Sequence, residues 1–276
     1  MSEASFKPGN TPHSARIYDY FLGGKTNYSV DRKAAAATLA ALPDVMTAAR
    51  QNREFMQRSV RYLARERGMR QFLDIGTGIP TAPNLHQVAQ QEQPTARVVY
   101  SDNDPIVLAH ARALMTSTPE GATDYIEADV RDPEVILEHA GKTLDFAEPV
   151  TVSLVALLHF IPDTDEPPAL VSRLLRDLAP GSALVLTHGT ADLEVRDESG
   201  SVHDVERVYR DRGIFLTVRP REAVAGFFRH LDLVEPGIVA SCDWHPEIAA
   251  PDEPPALPGT VSPAETSVWA GVGIKP

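Results

Sequence analysis

Apolar residues recur along this chain in two rhythms. Up to about Gly68 their spacing is helical. The alanine-rich run DRKAAAATLAALPD follows a candidate cap at Ser29 and breaks at Pro43. A second helix is predicted from Asp44 to about Arg67, closed by Gly68, and no strand signal precedes Arg70. From there on, short apolar runs alternate with helix-like segments. RQFLDIG predicts a strand ending at Gly76, and TAPNLHQVAQQ a helix with Thr81 as its cap and Pro83 in its first turn. ARVVYSD, TDYIEAD, PVTVSLVALLHF and SALVLTHGT predict four further strands. DPIVLAHARALM, DPEVILEHA and PPALVSRLLRDLAPG predict the helices between them.

After Thr190 the pattern loosens. VHDVERVYRDRG and REAVAGFFRH read as helical, and LDLVEPGIVA and ETSVWAGVGIKP as two closing strands. The proline-rich stretch PEIAAPDEPPALPGTVSP reads as an exposed loop, because proline cannot donate to a sheet ladder. The fold class that follows is α/β: a doubly wound, Rossmann-like, mostly parallel seven-stranded sheet with an N-terminal helical cap. The expected organisation is a cap or lid over residues 1–69 and a core over 70–276.

Composition narrows the function classes. A chain of 276 residues with 43% hydrophobic and 23% charged residues can bury a full core. No apolar run is long enough to cross a membrane, and MSEASFKPGN lacks the layout of a signal peptide, so a cytoplasmic protein is expected. Its one cysteine, Cys242, excludes an internal disulfide and a multi-cysteine metal site. A net charge of −12 repels polyanions and argues against a nucleic-acid partner. One local exception is Arg50, Arg58, Arg61 and Arg65, which fall on one side of the second helix at ~100° per residue. They read as a solvated face, with contact to an anion as the alternative.

The run FLDIGTGIPT places Gly76, Thr77 and Gly78 between a strand and a helix start. Glycines there let a ligand approach the backbone, and the helix end offers unpaired N–H groups. The third glycine of a dinucleotide fingerprint is missing, with Thr81 at its position, so this motif alone is equally well a tight turn. Three carboxylates change the balance. Asp74, Asp102 and Asp129 fall at the carboxyl ends of successive predicted strands, where open α/β sheets bind ligands. Any one of them alone is equally well placed to cap the next helix; three together favour binding. Asp102 is placed to accept two ribose hydroxyls, and Asp129 to meet an adenine amino group.

FLDIGTGIPT, YSDNDP, EADVRD and LVALLHFIPD resemble the successive motifs of class I S-adenosylmethionine-dependent methyltransferases. PHSARIYDYFLGGKTNYSVDR resembles the N-terminal signature of a bacterial S-adenosyl methyltransferase family long labelled a domain of unknown function. Thr26 departs from it, standing where that family's pattern has aspartate. The resemblance covers essentially the whole chain. It implies S-adenosyl-L-methionine as cofactor and methyl transfer to a small-molecule O or N acceptor. It further implies that Gly76 and Gly78 border the methionine part, Asp102 with Asn103 the ribose, Asp129 and Val130 the adenine, and Ala156 and Leu157 the methyl group. The alternatives are a regulatory protein that binds the cofactor without turnover, and an NAD-dependent oxidoreductase.

His159, in LLHFIP, is the candidate general base, with a loop-holding hydrogen bond as its alternative; His188 is a weaker candidate. No histidine and carboxylate set has metal-site spacing, and no G-x-S-x-G elbow is present. Trp244, in CDWHP, is a candidate wall of a substrate pocket or else a packed tryptophan. The stretch YDYFLGGKTNY imitates the end of a phosphate loop at Lys25-Thr26. The glycine such a loop needs five residues earlier is Asp19, and no strand precedes it. The glycines are therefore read as a turn of the cap, bringing Tyr18, Tyr28, Asn27, Lys25 and Arg16 over the cofactor and acceptor, with a helix–helix corner carrying a surface lysine as the alternative. Tyr18 and Tyr28 are the candidates to face the sulfonium.

Overall fold

The structure is a computed structural model and describes residues 11–195, 200–250 and 259–276. Five strands run parallel: β1 (Gln71–Ile75), β2 (Arg97–Asp102), β3 (Ala122–Glu127), β4 (Thr151–Leu154) and β5 (Ala183–Gly189). β8 (Val268–Ile274) lies antiparallel beside β5, and two-residue strands β6 (Asp232–Leu233) and β7 (Val239–Ala240) share its far edge. The order across the sheet is β3-β2-β1-β4-β5-β8-β6. It reverses between β1 and β4, which opens a crevice at their carboxyl ends. The predicted closing strand LDLVEPGIVA is broken in two. Pro236 has no N–H to give, and the chain turns there with Gly237 at φ 84 and its N–H donating to Val234 O.

Strand residues alternate between two cores. Leu73, Val99 and Leu184 face one cluster, with Leu170, Leu174 and Phe227; Phe72, Val98 and Val185 face the other. That second face is covered by α3 (Val45–Glu66), through Phe55, Met56, Val60 and Leu63. A third cluster joins α1 (Ser14–Phe21), α2 (Ser29–Ala41), the start of α3 and α8 (Val202–Arg210) around Ile17, Phe21, Val205 and Tyr209. The long helix α3 thus belongs both to the sheet and to the helical layer at its end.

Helices between strands follow their caps. α5 (Pro105–Leu114) starts at Asp104, whose carboxylate accepts from Ile106 N at 2.8 Å. α6 (Pro133–Ala140) and α7 (Pro167–Arg176) also open on proline. α4 (Leu85–Glu92) starts later than the expected Thr81. Asn84 and Gln87 form the reciprocal cap, leaving Thr81 and Pro83 in the preceding loop. Of the expected proline-rich loop, residues 251–258 lie outside the described residues. Its end forms the short helix α10 (Pro263–Thr266), capped by Ser262 and Glu265.

Only half of the arginine face of α3 is solvated. Arg58 is 5% exposed and donates through Nε to Trp244 O at 2.9 Å and through a terminal nitrogen to Ser241 O at 2.6 Å. Arg61 is buried against Glu92, which the exposed Arg65 also grips, and Arg50 is exposed. Arg58 therefore pins the turn after β7 onto α3. We predict that Arg58→Met, which leaves two buried carbonyls without donors, destabilises the protein by ~2–4 kcal/mol, read from urea unfolding midpoints.

Candidate functional site

Where β1 ends, the chain turns through Gly76 (φ 74) and Gly78 (φ 66). A methyl group on Gly76 would lie 2.6 Å from the Leu157 side chain, so only glycine fits between the two loops. Gly78 faces open space. Its N–H donates to Asp102 at the end of β2 (2.9 Å), while the other oxygen of that carboxylate accepts from Asp104 N (2.9 Å). Asp102 is 7% exposed, and burial raises its pKa against the pull of those two backbone donors. Each oxygen keeps a lone pair for a further donor.

Asp129 is held differently. Arg131 donates to both oxygens, its own N–H to one at 2.9 Å, and Asn103 Nδ2 to the other at 2.9 Å. The Arg131 contact is the main cause that lowers its pKa to about 2. Its four acceptor positions are filled, so an adenine amino group would have to displace Asn103 or Arg131. Asp74 is half-buried; removal from water raises its carboxyl to about 6, with the Ser153 hydroxyl and Arg53 opposing. Ala156, just past β4, sits at φ 54 with its N–H on the Thr187 hydroxyl at 2.8 Å.

These groups line one cavity of about 380 Å³ at the carboxyl ends of β1, β2, β4 and β5. Asp74, Gly76, Thr77, Gly78, Asp102, Asn103, Asp129, Val130, Ala156 and Leu157 all reach it, as do Tyr18 and His159. Such a volume suits a small-molecule site. Arg16, Lys25, Asn27, Tyr28 and Trp244 do not line it. Arg16 is 3% exposed and spent on Asp31 (2.9 Å) and Asp104 (3.5 Å), which locks α1 to α2 and to the cap of α5. Asn27 donates to Asp19 and Gly24 O, closing the turn after α1. A Cβ on Gly24 would meet the Asp19 carboxylate at 2.0 Å, so any larger residue there has to displace that side chain from Asn27. Lys25 and Tyr28 are exposed. Trp244 is fully buried, its ring edge-on to Phe55 and Tyr62.

Two cavity-lining residues, Arg53 and Asn52, went unassigned in the sequence, as did Arg219, buried behind the cavity wall. Arg53 projects from α3 to the glycine turn, donating to Thr81 O and Pro83 O (2.9 Å), while its buried Nε has no partner. Its signal was a charge inside the apolar stripe Val45, Ala49, Met56 of an otherwise core-facing helix. Asn52, one position earlier, donates to the Tyr18 hydroxyl at 2.9 Å; that hydroxyl donates in turn to Ala49 O at 3.0 Å. This chain fixes the amide orientation and leaves buried Asn52 Oδ1 without a partner. Arg219 donates to His188 Nε2 (2.8 Å), Leu158 O, Ile161 O and Asp163. The proton of His188 therefore sits on Nδ1, bound to Gly189 O at 2.8 Å.

His159 packs edge-on to His188, with ring centroids 5.7 Å apart. Burial, then His188 and Arg219, hold its pKa well below 6.5, so it is neutral at pH 7. Neither ring nitrogen has a hydrogen-bond partner among the described residues, and Nδ1 is buried. No three His, Cys, Asp or Glu residues gather into a metal-sized group among the described residues. No helix among them is long and apolar enough to cross a membrane.

The comparisons with known proteins point the same way. A family profile described as S-adenosyl methyltransferase matches residues 7–276. A DUF574 family protein from Streptomyces avermitilis is 43% identical, with a TM-score of 0.88 over 96% of this chain and 98% of that one. A candidate methyltransferase from Thermobifida fusca is 39% identical, with a TM-score of 0.83 over 96% of this chain and 95% of that one. No curated protein matches.

Burial, with Arg219 adding to it, also lowers the pKa of His188 to about 4. An unfolded histidine titrates near ~6.5, so the unfolded chain binds the proton first and stability falls as pH drops from there toward 4. Asp74, with its raised pKa, acts in the opposite sense over part of that window. We predict that His188→Gln, neutral at every pH, loses up to ~3 kcal/mol less than the parent between pH 6.5 and 4, measured by urea unfolding at both pH values.

Proposed function

We propose, from the premise that this chain belongs to the S-adenosyl methyltransferase family and is an S-adenosylmethionine-dependent methyltransferase, that its acceptor is a small molecule methylated at an O–H or N–H group. The observation that carries the reading is the two-ended cavity. One end holds the charged and polar groups that a zwitterionic nucleoside needs; the other is apolar.

The cofactor fits the charged end by the chemistry of its donors and acceptors. Arg53, with an unpartnered Nε, takes the carboxylate beside the glycine turn, and Asp74 faces the ammonium. Asp102 accepts the two ribose hydroxyls on the lone pairs its backbone partners leave free. Ile79 and Val130 flank the base, with Asp129 and Asn103 at its edge. The cofactor supplies an electrophilic methyl on a positively charged sulfur. The Tyr18 ring, its hydroxyl tied down, gives that charge an electron-rich wall of ~0.5–2 kcal/mol.

The protein's task is alignment and exclusion of water. α1 and the start of α3 roof the cavity, held down by the Arg16, Asp31 and Asp104 cluster. His159 takes the acceptor proton on a ring nitrogen as the bond to carbon forms and the carbon–sulfur bond breaks, the electron pair staying on sulfur. Burial beside Arg219 and His188 makes its imidazolium short-lived, so the proton passes on to water once product leaves.

Calorimetric titration with S-adenosylhomocysteine tests the placement. Asp102→Asn should weaken binding ~10–100-fold and Arg53→Met by a similar factor, since each removes a charge-assisted hydrogen bond. Unchanged affinity in both variants, or tight NAD binding with no response to S-adenosylhomocysteine, would overturn it.

A further inference from the structure

The acceptor end of the cavity has a composition that selects its ligand. Its walls are Phe21, Leu42 and Val45 from the α1 to α3 layer, Val205 and Tyr209 from α8, and Phe160 after β4. The charged side chains that line the cavity are Arg53, Asp74, Asp102, Asp129 and Arg131, all at or near the cofactor end. A charged acceptor would give up its hydration for an apolar wall with no counter-ion. Three rings line one side: Phe160 packs edge-on to His159, at 4.4 Å between centroids, and stacks on Tyr209, at 6.3 Å and 25°. A flat π-system is the natural complement of such a wall.

Two polar atoms break the apolar surface. Asn52 is 3% exposed, and its Oδ1 has no partner because Tyr18 consumes the amide donor. His159 has none for either ring nitrogen among the described residues. A buried acceptor left alone is costly, and both residues line the cavity. Resting on the methyl-transfer reading above, we propose that the acceptor is an uncharged aromatic molecule with two hydrogen-bond donors. One donor is given to Asn52 Oδ1 and orients the ring; the other faces His159 and is methylated. Asn52 is thus a specificity-determining residue.

The test is binding to the intact protein saturated with S-adenosylhomocysteine, using naphthalene diols, naphthol and hydroxynaphthoic acids as probes. Diols should bind at least tenfold more tightly than hydroxynaphthoates and gain one methyl group when S-adenosylmethionine replaces the product. Asn52→Leu should cost the diols about tenfold and narrow their advantage over naphthol, with S-adenosylhomocysteine affinity intact. Preference for the carboxylated probes, or no binding of any diol by protein that binds S-adenosylhomocysteine, would overturn this inference while leaving the methyltransferase reading standing. Failure to bind S-adenosylhomocysteine would instead overturn that earlier reading. If Asn52→Leu does not fold, the comparison of neutral with charged probes on the parent protein still decides.

Discussion

The joint on which the site depends is the Asp102 carboxylate. One oxygen accepts from Gly78 in the turn after β1, and the other from Asp104 at the start of α5. Two loops from neighbouring strands are thereby fixed to each other by hydrogen bonds to a charged group, which are worth more than neutral ones. The joint extends outward. Asp104 caps α5 with one oxygen and faces Arg16 and His13 with the other, and Arg16 reaches on to Asp31 in α2. The N-terminal helices are therefore attached to the carboxyl edge of the sheet by a buried ionic chain. Asp31 offsets its desolvation by accepting from His13 N, Arg16 Nε and Tyr28 N, while the Asp104 oxygen that faces Arg16 and His13 is held by charge alone.

Helix α3 performs the same coupling by packing. Its second half covers the sheet through Phe55 and Leu63, and its first half roofs the cavity through Val45, Ala49 and Asn52. A rigid helix of 22 residues carries the roof and the sheet cover as one body. Arg53 and Asn52 sit at the transition, one serving the charged end of the cavity and the other the apolar end. Arg58, a turn or more further on, ties the same helix to the turn after β7.

The electrostatics of the cavity are divided along the same line. At the charged end, carboxylates and a guanidinium keep partners or face one another. Toward the apolar end, burial holds His159 and His188 neutral and pushes the Tyr209 hydroxyl above its usual range. Arg219 contributes to this from below the surface. It fixes the tautomer of His188 and ties down the carbonyls of Leu158 and Ile161 on either side of His159. A neutral imidazole with a free nitrogen is able to accept a proton, which a charged one is not.

Much of this was legible in the chain. The alternation of apolar runs with helical segments set the order of the first five strands, because burial on both faces demands continuous apolar runs. Gly76, Gly78, Asp102 and Asp129 were legible because a strand-end turn needs those residue types at those places. What the chain did not disclose was partnership. YDYFLGGKTNY looked like a lid over the cofactor; only Tyr18 of its candidates reaches the cavity, because Arg16 and Asn27 are consumed by Asp31 and Asp19. Arg58 looked solvated and is buried, and of the two readings of Trp244, pocket wall or packed core, the packed one holds. Arg53, Asn52 and Arg219 passed unassigned, since each acts on groups dozens of residues away. Local sequence determined the elements and the strand-end motifs, because those follow from backbone conformation and hydrophobic period. The tertiary structure decided which polar side chains are spent and which are left facing the cavity, because a hydrogen-bonding group is satisfied by what lies near it in space.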